Sequence, residues 1–265
     1  MVWGVAAFGV VCSQFAVRNS QFAVRVARSP CSRLRTNTIG LVAKLYFRYG
    51  AMNSGKSTAM LQAAYNYEER GHRVLLTKPA IDTKGDLGIL SRLGVRREVD
   101  FLITPGADLY SRFQRHRERT IKRFERDVSC LLVDEAQFLS EVQVDDLLRI
   151  AILENIPVLA YGIRTDFQTV AFPGSRRLLE IAHSLEELKT ICRCGRKAVF
   201  NARKVGGMFV FDGDQVAIDG ADVSYESLCG ACYLQESHGV LNSGRRRWPV
   251  ESGPAYDDEP DPDFT

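Results

Sequence analysis

The sequence predicts an α/β fold: a parallel sheet with helices on both faces, followed by a small module built on paired cysteines. Three observations predict it. Apolar β-type runs alternate with helix-like segments from Lys44 to about residue 190, the pattern of strands covered on both sides by helices. A Gly50-x-x-x-x-Gly55-Lys56-Ser57 loop lies between the first such run and the first helical segment. Four of the seven cysteines form two close pairs, Cys192/Cys194 and Cys229/Cys232.

Length and composition set the frame. A chain of 265 residues has room for one large domain, or for one domain and an appendage. Its hydrophobic and charged fractions, 45% and 25%, are ordinary for a protein with a substantial core. The net charge of +3 conceals two biased ends: residues 1–43 hold five Arg and no acid, and residues 239–265 hold three Arg against six acids. The middle, 44–238, is therefore left at +1. So neutral a body offers little attraction to duplex nucleic acid. No apolar run approaches the roughly 18–20 residues that span a bilayer. Paired cysteines beside a nucleotide loop point to a reducing compartment and a metal rather than to disulfides.

Each element follows in order. Residues 1–43 stand outside the fold: SQFAVR occurs at Ser13–Arg18 and again at Ser20–Arg25. This acid-free, Arg-bearing segment superficially suits a transit peptide, but Met1–Val11 lacks a positive start for a secretory signal. The expectation is a disordered extension or translated upstream sequence, with the native start near Val42. Lys44–Tyr49 (KLYFRY) reads as a strand feeding the loop, and Lys56–Arg70 as a helix stopped at Gly71. Val74–Thr77 is a second strand. Ile81–Arg97 is polar and Gly-punctuated, and reads as a mobile loop. Asp108–Asp127 is a charged helix, and Ser129–Asp134 an unbroken apolar strand, as expected of one buried on both faces. Val142–Asn155 is an amphipathic helix and Pro157–Gly162 another buried strand. After about Cys192, short β-like segments at Lys197–Arg203 and Val216–Ile218 separate the cysteine pairs. From Gly239 onward, Arg245–Arg247 and DDEPDPD predict a disordered acidic tail.

Three motifs carry chemistry. In the loop Gly50, Ala51, Met52, Asn53, Ser54, Gly55, Lys56, Ser57, Thr58, glycines let successive backbone amides turn inward on phosphates, and the following helix adds its positive end. Lys56 would reach the β- and γ-phosphates and Ser57 would hold Mg²⁺. In LLVDEAQF (Leu131–Phe138), Asp134 ends a buried strand, where the metal side of a phosphate-loop enzyme needs an acid. Glu135 beside it can take the proton from an attacking hydroxyl, of water or of a substrate. The third motif is Cys192-x-Cys194 with Cys229-x-x-Cys232: four thiolates close a tetrahedral zinc site, whose role is then structural. Phe167 and Phe172 flank a loop at the C-terminal sheet edge, where substrates bind in open α/β sheets. The Arg112–Arg126 run interleaves acids and reads as a solvated helix face. His72, His116, His183 and His238 show no ligand spacing.

With these residues in view, the chain from Lys44 to about Gln235 resembles the thymidine kinases of the cytosolic and bacterial type, close to the bacterial branch. The matching stretches are KLYFRYGAMNSGKST, AAYNYEERG, LLVDEAQFL, IPVLAYGIRTDFQ, ELKTICRCGRKA and YESLCGAC. The resemblance implies a P-loop (RecA-like) kinase domain over 44–190, a zinc-ribbon module with a lasso loop over 191–238, and a cytoplasmic homotetramer. It implies transfer of the ATP γ-phosphate to the 5′-hydroxyl of thymidine with Mg²⁺, and a structural Zn²⁺. Carried over, Glu135 is the base, Asp134 the Walker-B-type acid, and Gln137 and Arg164 lie by the phosphates. Phe167, Phe172, Thr190, Val216, Ile218, Gly220 and Tyr225 match thymidine-pocket positions, the lasso spanning about Gly213–Tyr225. One departure concerns the mobile loop, where Asp82-Thr83-Lys84 puts a point charge in place of the family's forked Arg; Arg92 is a candidate substitute. Two other classes fit parts of the pattern: a recombinase-like ATPase acting on nucleic acid, and a zinc-ribbon protein with a vestigial ATP site. The first needs a basic face, and the second should have lost Lys56, Ser57 or Glu135.

Overall fold

Alternation within the apolar runs builds the sheet. In a strand, successive side chains point to opposite faces, so Leu131 and Val133 join one core cluster and Cys130 and Leu132 the other. The same split separates Val158 and Ala160 from Leu159 and Tyr161. Strands apolar on both faces need helices above and below, and the chain supplies them.

The structure is a computed structural model describing residues 42–80, 88–91, 94–215 and 223–241. The expectations for the N-terminal extension up to residue 41, for Lys84 and Arg92, for Val216, Ile218 and Gly220, and for the tail beyond residue 241 lie outside these residues. The elements are β1 (Leu45–Tyr49), α1 (Lys56–Glu69), β2 (Arg73–Pro79), β3 (Gly88–Leu90), β4 (Arg96–Glu98), β5 (Phe101–Ile103), α2 (Leu109–Phe124), β6 (Val128–Val133), α3 (Glu141–Leu153), β7 (Val158–Gly162) and α4 (Pro173–Ile181). There follow β8 (Ser184–Glu187), β9 (Thr190–Ile191), β10 (Lys197–Ala198), β11 (Phe200–Val205), β12 (Met208–Val210), β13 (Val223–Leu228) and α5 (Gly230–Glu236).

Six strands form one sheet in the order β5-β2-β6-β7-β1-β8, all paired in parallel. On one face Leu109 and Phe113 of α2, Leu147 and Ile150 of α3 and Leu178 of α4 are buried with Leu45 and Phe47. On the other, Met60, Leu61 and Ala64 of α1 pack with Leu76, Leu132 and Tyr161. Helix α3 begins with a capping box between Ser140 and Gln143, which satisfies amides that a helix start leaves without partners. No helix among the described residues is long and apolar enough to cross a membrane.

The structure corrects the reading of residues 81–97 as a loop without strands. Gly88–Leu90 and Arg96–Glu98 pair as an antiparallel ribbon. Ile89 is buried in the α1-side core, and Arg97 holds Glu68 of α1 through two bonds of 2.6 Å. Strands of three residues are too short to show a period. Strand β8 also went unforeseen, because SLEE carries the charges of a sheet edge; its Glu186 lies 2.7 Å from Arg48. Helix α4 was missed too, although Pro173 at its first turn is a favoured helix start.

A second, antiparallel sheet of β12-β11-β13 and the β9–β10 hairpin make the cysteine module. Its small core comprises Cys192, Ala198, Ala202, Leu228, Cys229 and Tyr233.

Candidate active site

Strand β1 ends at Tyr49 and delivers the chain into the Gly50–Thr58 loop. Gly55 adopts φ 76°, a left-handed turn that glycine takes without strain, and α1 starts at the next residue. The Lys56 ammonium lies inside the loop, donating to Ala51 O at 3.0 Å and Gly50 O at 3.4 Å. Among the described residues the Ser54 hydroxyl is buried with no hydrogen-bond partner. Such an orphan calls for a polar ligand, which fits a loop made for phosphate.

Strand β6 brings its acid to the same edge. The Ser57 hydroxyl donates to Asp134 Oδ2 at 3.4 Å, so two hard oxygen donors of the kind Mg²⁺ takes lie side by side. Burial, and then the neighbouring charge of Glu135, push the Asp134 carboxyl up to about 7. Glu135 sits at φ 47°, a conformation that costs a non-glycine residue about 1 kcal/mol or more and gathers at functional sites. Two contacts hold it: its own amide donates to Asp134 Oδ1 at 3.0 Å, and Gln137 Nε2 donates to its Oε2 at 2.5 Å. Gln137 is itself buried, accepting from the Ile163 amide at 3.2 Å. A Cβ on Gly162 would come within 2.7 Å of that Gln137 oxygen, so glycine there admits the glutamine.

Two cavities meet at Glu135. One, of about 730 Å³, is lined by residues 52–53 and 55–59 of the loop and start of α1, together with Gln62. The other, of about 370 Å³, runs beneath Phe138, Phe167, Phe172 and Tyr225; both volumes are typical of small-molecule sites. Met52, Ser57, Glu135 and Ile163 line both. Phe167 and Phe172 are buried at the two ends of the loop leading into α4. Tyr225 lies on β13, where Arg203 Nε donates to its hydroxyl at 3.2 Å. The Arg203 guanidinium stacks 3.7 Å from the Phe167 ring centroid and donates to the carbonyls of Asp214 and Gln215. It thereby ties the start of the lasso segment to its end.

Not every expected residue joins these cavities. Thr190 lies outside both, its hydroxyl 3.5 Å from Asn53 O. Arg164 lines a small recess with Gly50 and Ala51. Conversely, Lys78, Asp166, Asn201 and Gln215 line the smaller cavity, and none was singled out from sequence. Asp166 lies within the matched stretch IPVLAYGIRTDFQ. Gln215 falls within the expected lasso segment, and Lys78 and Asn201 are polar residues in segments with no motif.

The four module cysteines converge, with all four Sγ atoms within 4.8 Å of one another. Cys192 and Cys194 lie in the β9–β10 turn, and Cys229 caps α5, its Sγ accepting from the Cys232 amide at 3.5 Å. Tetrahedral zinc at about 2.3 Å from each sulfur would set neighbouring sulfurs about 3.8 Å apart, close to the 3.5 Å between Cys194 and Cys229. Burial works to raise the Cys192 thiol, but the amides of Cys194 and Cys229 bring it down to about 6. Burial and the adjacent sulfurs push Cys232 up to about 12. Four thiolates this close cannot all ionise without a cation among them, and the cluster can hold a metal ion.

The comparisons accord with this geometry. A family model described as "Thymidine kinase" matches residues 43–233. A thymidine kinase of Mesorhizobium japonicum is 46% identical over 220 residues, covering 82% of this chain and 97% of its own. One of Legionella pneumophila is 48% identical over 200 residues, covering 75% and 92%. That of Enterobacteria phage T4 is 46% identical over 190 residues, covering 71% and 94%. A solved structure of the replication initiator DnaA with AMPPCP and single-stranded DNA aligns at TM-score 0.31 and 20% identity, over 56% of this chain and 40% of that one, and carries no argument. Matched over residues 43–233 by the family model and at 46–48% identity by these relatives, the chain belongs to the thymidine kinase family.

Proposed function

We propose that the protein transfers the γ-phosphate of ATP to the 5′-hydroxyl of thymidine, giving dTMP and ADP in the salvage of deoxynucleosides. The observation that carries this reading is Glu135 on the boundary between two cavities, one lined by the phosphate loop and the other by aromatic rings. A hydrolase needs a base and one nucleotide cavity; a kinase needs the base between donor and acceptor. In this reading Lys56 and the loop amides take the phosphates, Thr58 in the first turn of α1 lines their cavity, and Arg164 stands beside them. Mg²⁺ carried in with ATP, held by Ser57 and Asp134, would neutralise phosphate charge.

Glu135 then accepts the 5′-hydroxyl proton as the new O–P bond forms and the bond from the γ-phosphorus to the β-bridging oxygen breaks. Gln137 keeps the carboxylate aimed. Phe167, Phe172 and Tyr225 pack on the base, and the family resemblance adds Val216, Ile218 and Gly220 as substrate-binding residues. The metal of the four cysteines is Zn²⁺, with the kinase domain over 44–190 and the ribbon over 191–238, in a cytoplasmic homotetramer. The nucleic-acid ATPase is the disfavoured alternative. Turnover of ATP with and without thymidine tests the choice: thymidine-dependent dTMP formation is expected. Hydrolysis stimulated by DNA, with no dTMP formed, would refute it.

A further inference from the structure

The cysteine module grips the phosphate loop at one residue. Asn201 on β11 and Ser227 on β13 are directly opposite in the antiparallel ladder, so their side chains leave the same face side by side. Both are buried. The Met52 amide donates to Asn201 Oδ1 at 2.7 Å, and the Ser227 hydroxyl donates to the Met52 carbonyl. Asn201 Nδ2 also donates to Thr165 O at 3.0 Å, in the loop that runs on to Phe167. Both polar backbone groups of Met52 are thus satisfied by side chains about 150 and 175 positions along the chain.

Met52 is no ordinary loop residue. It lines both the loop cavity and the aromatic cavity, so its backbone position sets the wall between them. The loop's other bonds bypass Met52: Gly50 N donates to Gly162 O and Ser54 N to Ala51 O, each at 3.3 Å, and Lys56 Nζ donates to the carbonyls of Ala51 and Gly50. The Met52 backbone therefore takes its position from the two module side chains that satisfy it.

We propose that Asn201 and Ser227 are positioning residues for the phosphate loop, coupling nucleotide binding to the metal-bearing module that carries them. The module's role then extends beyond the acceptor side: its sheet sets the donor loop through Met52. Ser227 lines neither cavity, which makes it the cleaner probe. Asn201 borders the aromatic cavity, so its variants would mix this effect with acceptor binding. The turnover part of the argument rests on the kinase reading, whereas the binding part does not.

The test uses the full chain and a non-hydrolysable ATP analogue. Ser227→Ala should weaken analogue binding about fivefold, the worth of one net hydrogen bond. It should raise the KM for ATP by a similar factor while kcat at saturating ATP stays within about twofold of wild type. Ser227→Thr, which restores the hydroxyl, should recover most of the affinity. Hydrogen exchange gives a reading that needs no variant: the Met52 amide of the wild-type protein should be protected about tenfold or more, and Ser227→Ala should reduce that protection. A Met52 amide exchanging at the rate of open chain would overturn the proposal, as would Ser227→Ala binding the analogue like wild type. If Ser227→Ala weakens binding but the wild type makes no dTMP, the kinase reading fails and the coupling stands.

Discussion

The two halves of this molecule are held together by different physics. The six-stranded sheet buries apolar side chains on both faces, with Leu45, Phe47, Leu131 and Leu132 fully enclosed, each contributing about 1.5–3 kcal/mol. The cysteine module has a six-residue core, of which two members belong to the four-cysteine cluster that can hold a metal ion. A core that small does not stabilise a fold alone, and a structural metal is the usual supplement. The two cavities lie where the two halves meet: the sheet domain contributes Lys56, Asp134 and Glu135, and the module contributes Tyr225 and Asn201, with Arg203 bonded to Tyr225. In the proposed reaction the sheet half carries the phosphate chemistry, while the cysteine module lines the aromatic cavity and, through Asn201 and Ser227, bonds Met52 of the phosphate loop.

Four experiments press on that division. The largest effect falls on the sheet half: Glu135→Gln should lower kcat roughly 10²-fold or more with ATP binding intact by titration calorimetry. Near-normal turnover would remove Glu135 from the mechanism. Next, stripping the metal with a zinc chelator should raise the thymidine KM about tenfold, since structural metal sites supply folding free energy. Hydrogen exchange should then show β11 and β13 opening while β1, β6 and β7 stay protected. Sheet and module opening together would break the comparison.

The third experiment uses pH. The Asp134 carboxyl is raised to about 7 in the folded chain, above the roughly 3.9 of an unfolded Asp. A raised folded value means that stability is greatest below the unfolded value and is lost as pH climbs towards 7. Mg²⁺ needs the carboxylate, so Mg·ATP affinity should fall by up to about tenfold per unit below pH 7, and Asp134→Asn should abolish that slope. An unchanged slope in Asp134→Asn would assign the dependence to another group. The smallest effect concerns the sheet's helices: Ser140→Ala breaks the capping box of α3 and should cost about 1 kcal/mol. Urea unfolding should show a lower midpoint at constant slope; an unmoved midpoint would make that cap irrelevant.

Much of this architecture was legible without coordinates, and the reason differs by residue. Lys56, Ser57 and Asp134 announce themselves because phosphate and metal chemistry requires those residue types at a strand edge and in a fixed spacing. The strands around Leu131 and Val158 are legible because burial on both faces leaves an unbroken apolar run. Strand β8 and Thr190 show the limits. The first is an edge whose charges hide it, and the second matched a pocket position yet lies by Asn53, outside the aromatic cavity.

The sequence by itself determined the chemistry: a phosphate loop, an acid pair and four thiols, each set by local spacing. Only the tertiary structure decided where that chemistry meets. Glu135 stands between two cavities because β6 and β7 place Gln137 beside Ile163. Asn201 and Ser227 reach Met52 because an antiparallel ladder sets them opposite each other. Such contacts join residues about 25 to 175 positions apart, and they depend on register and docking, which leave no periodic trace in the chain.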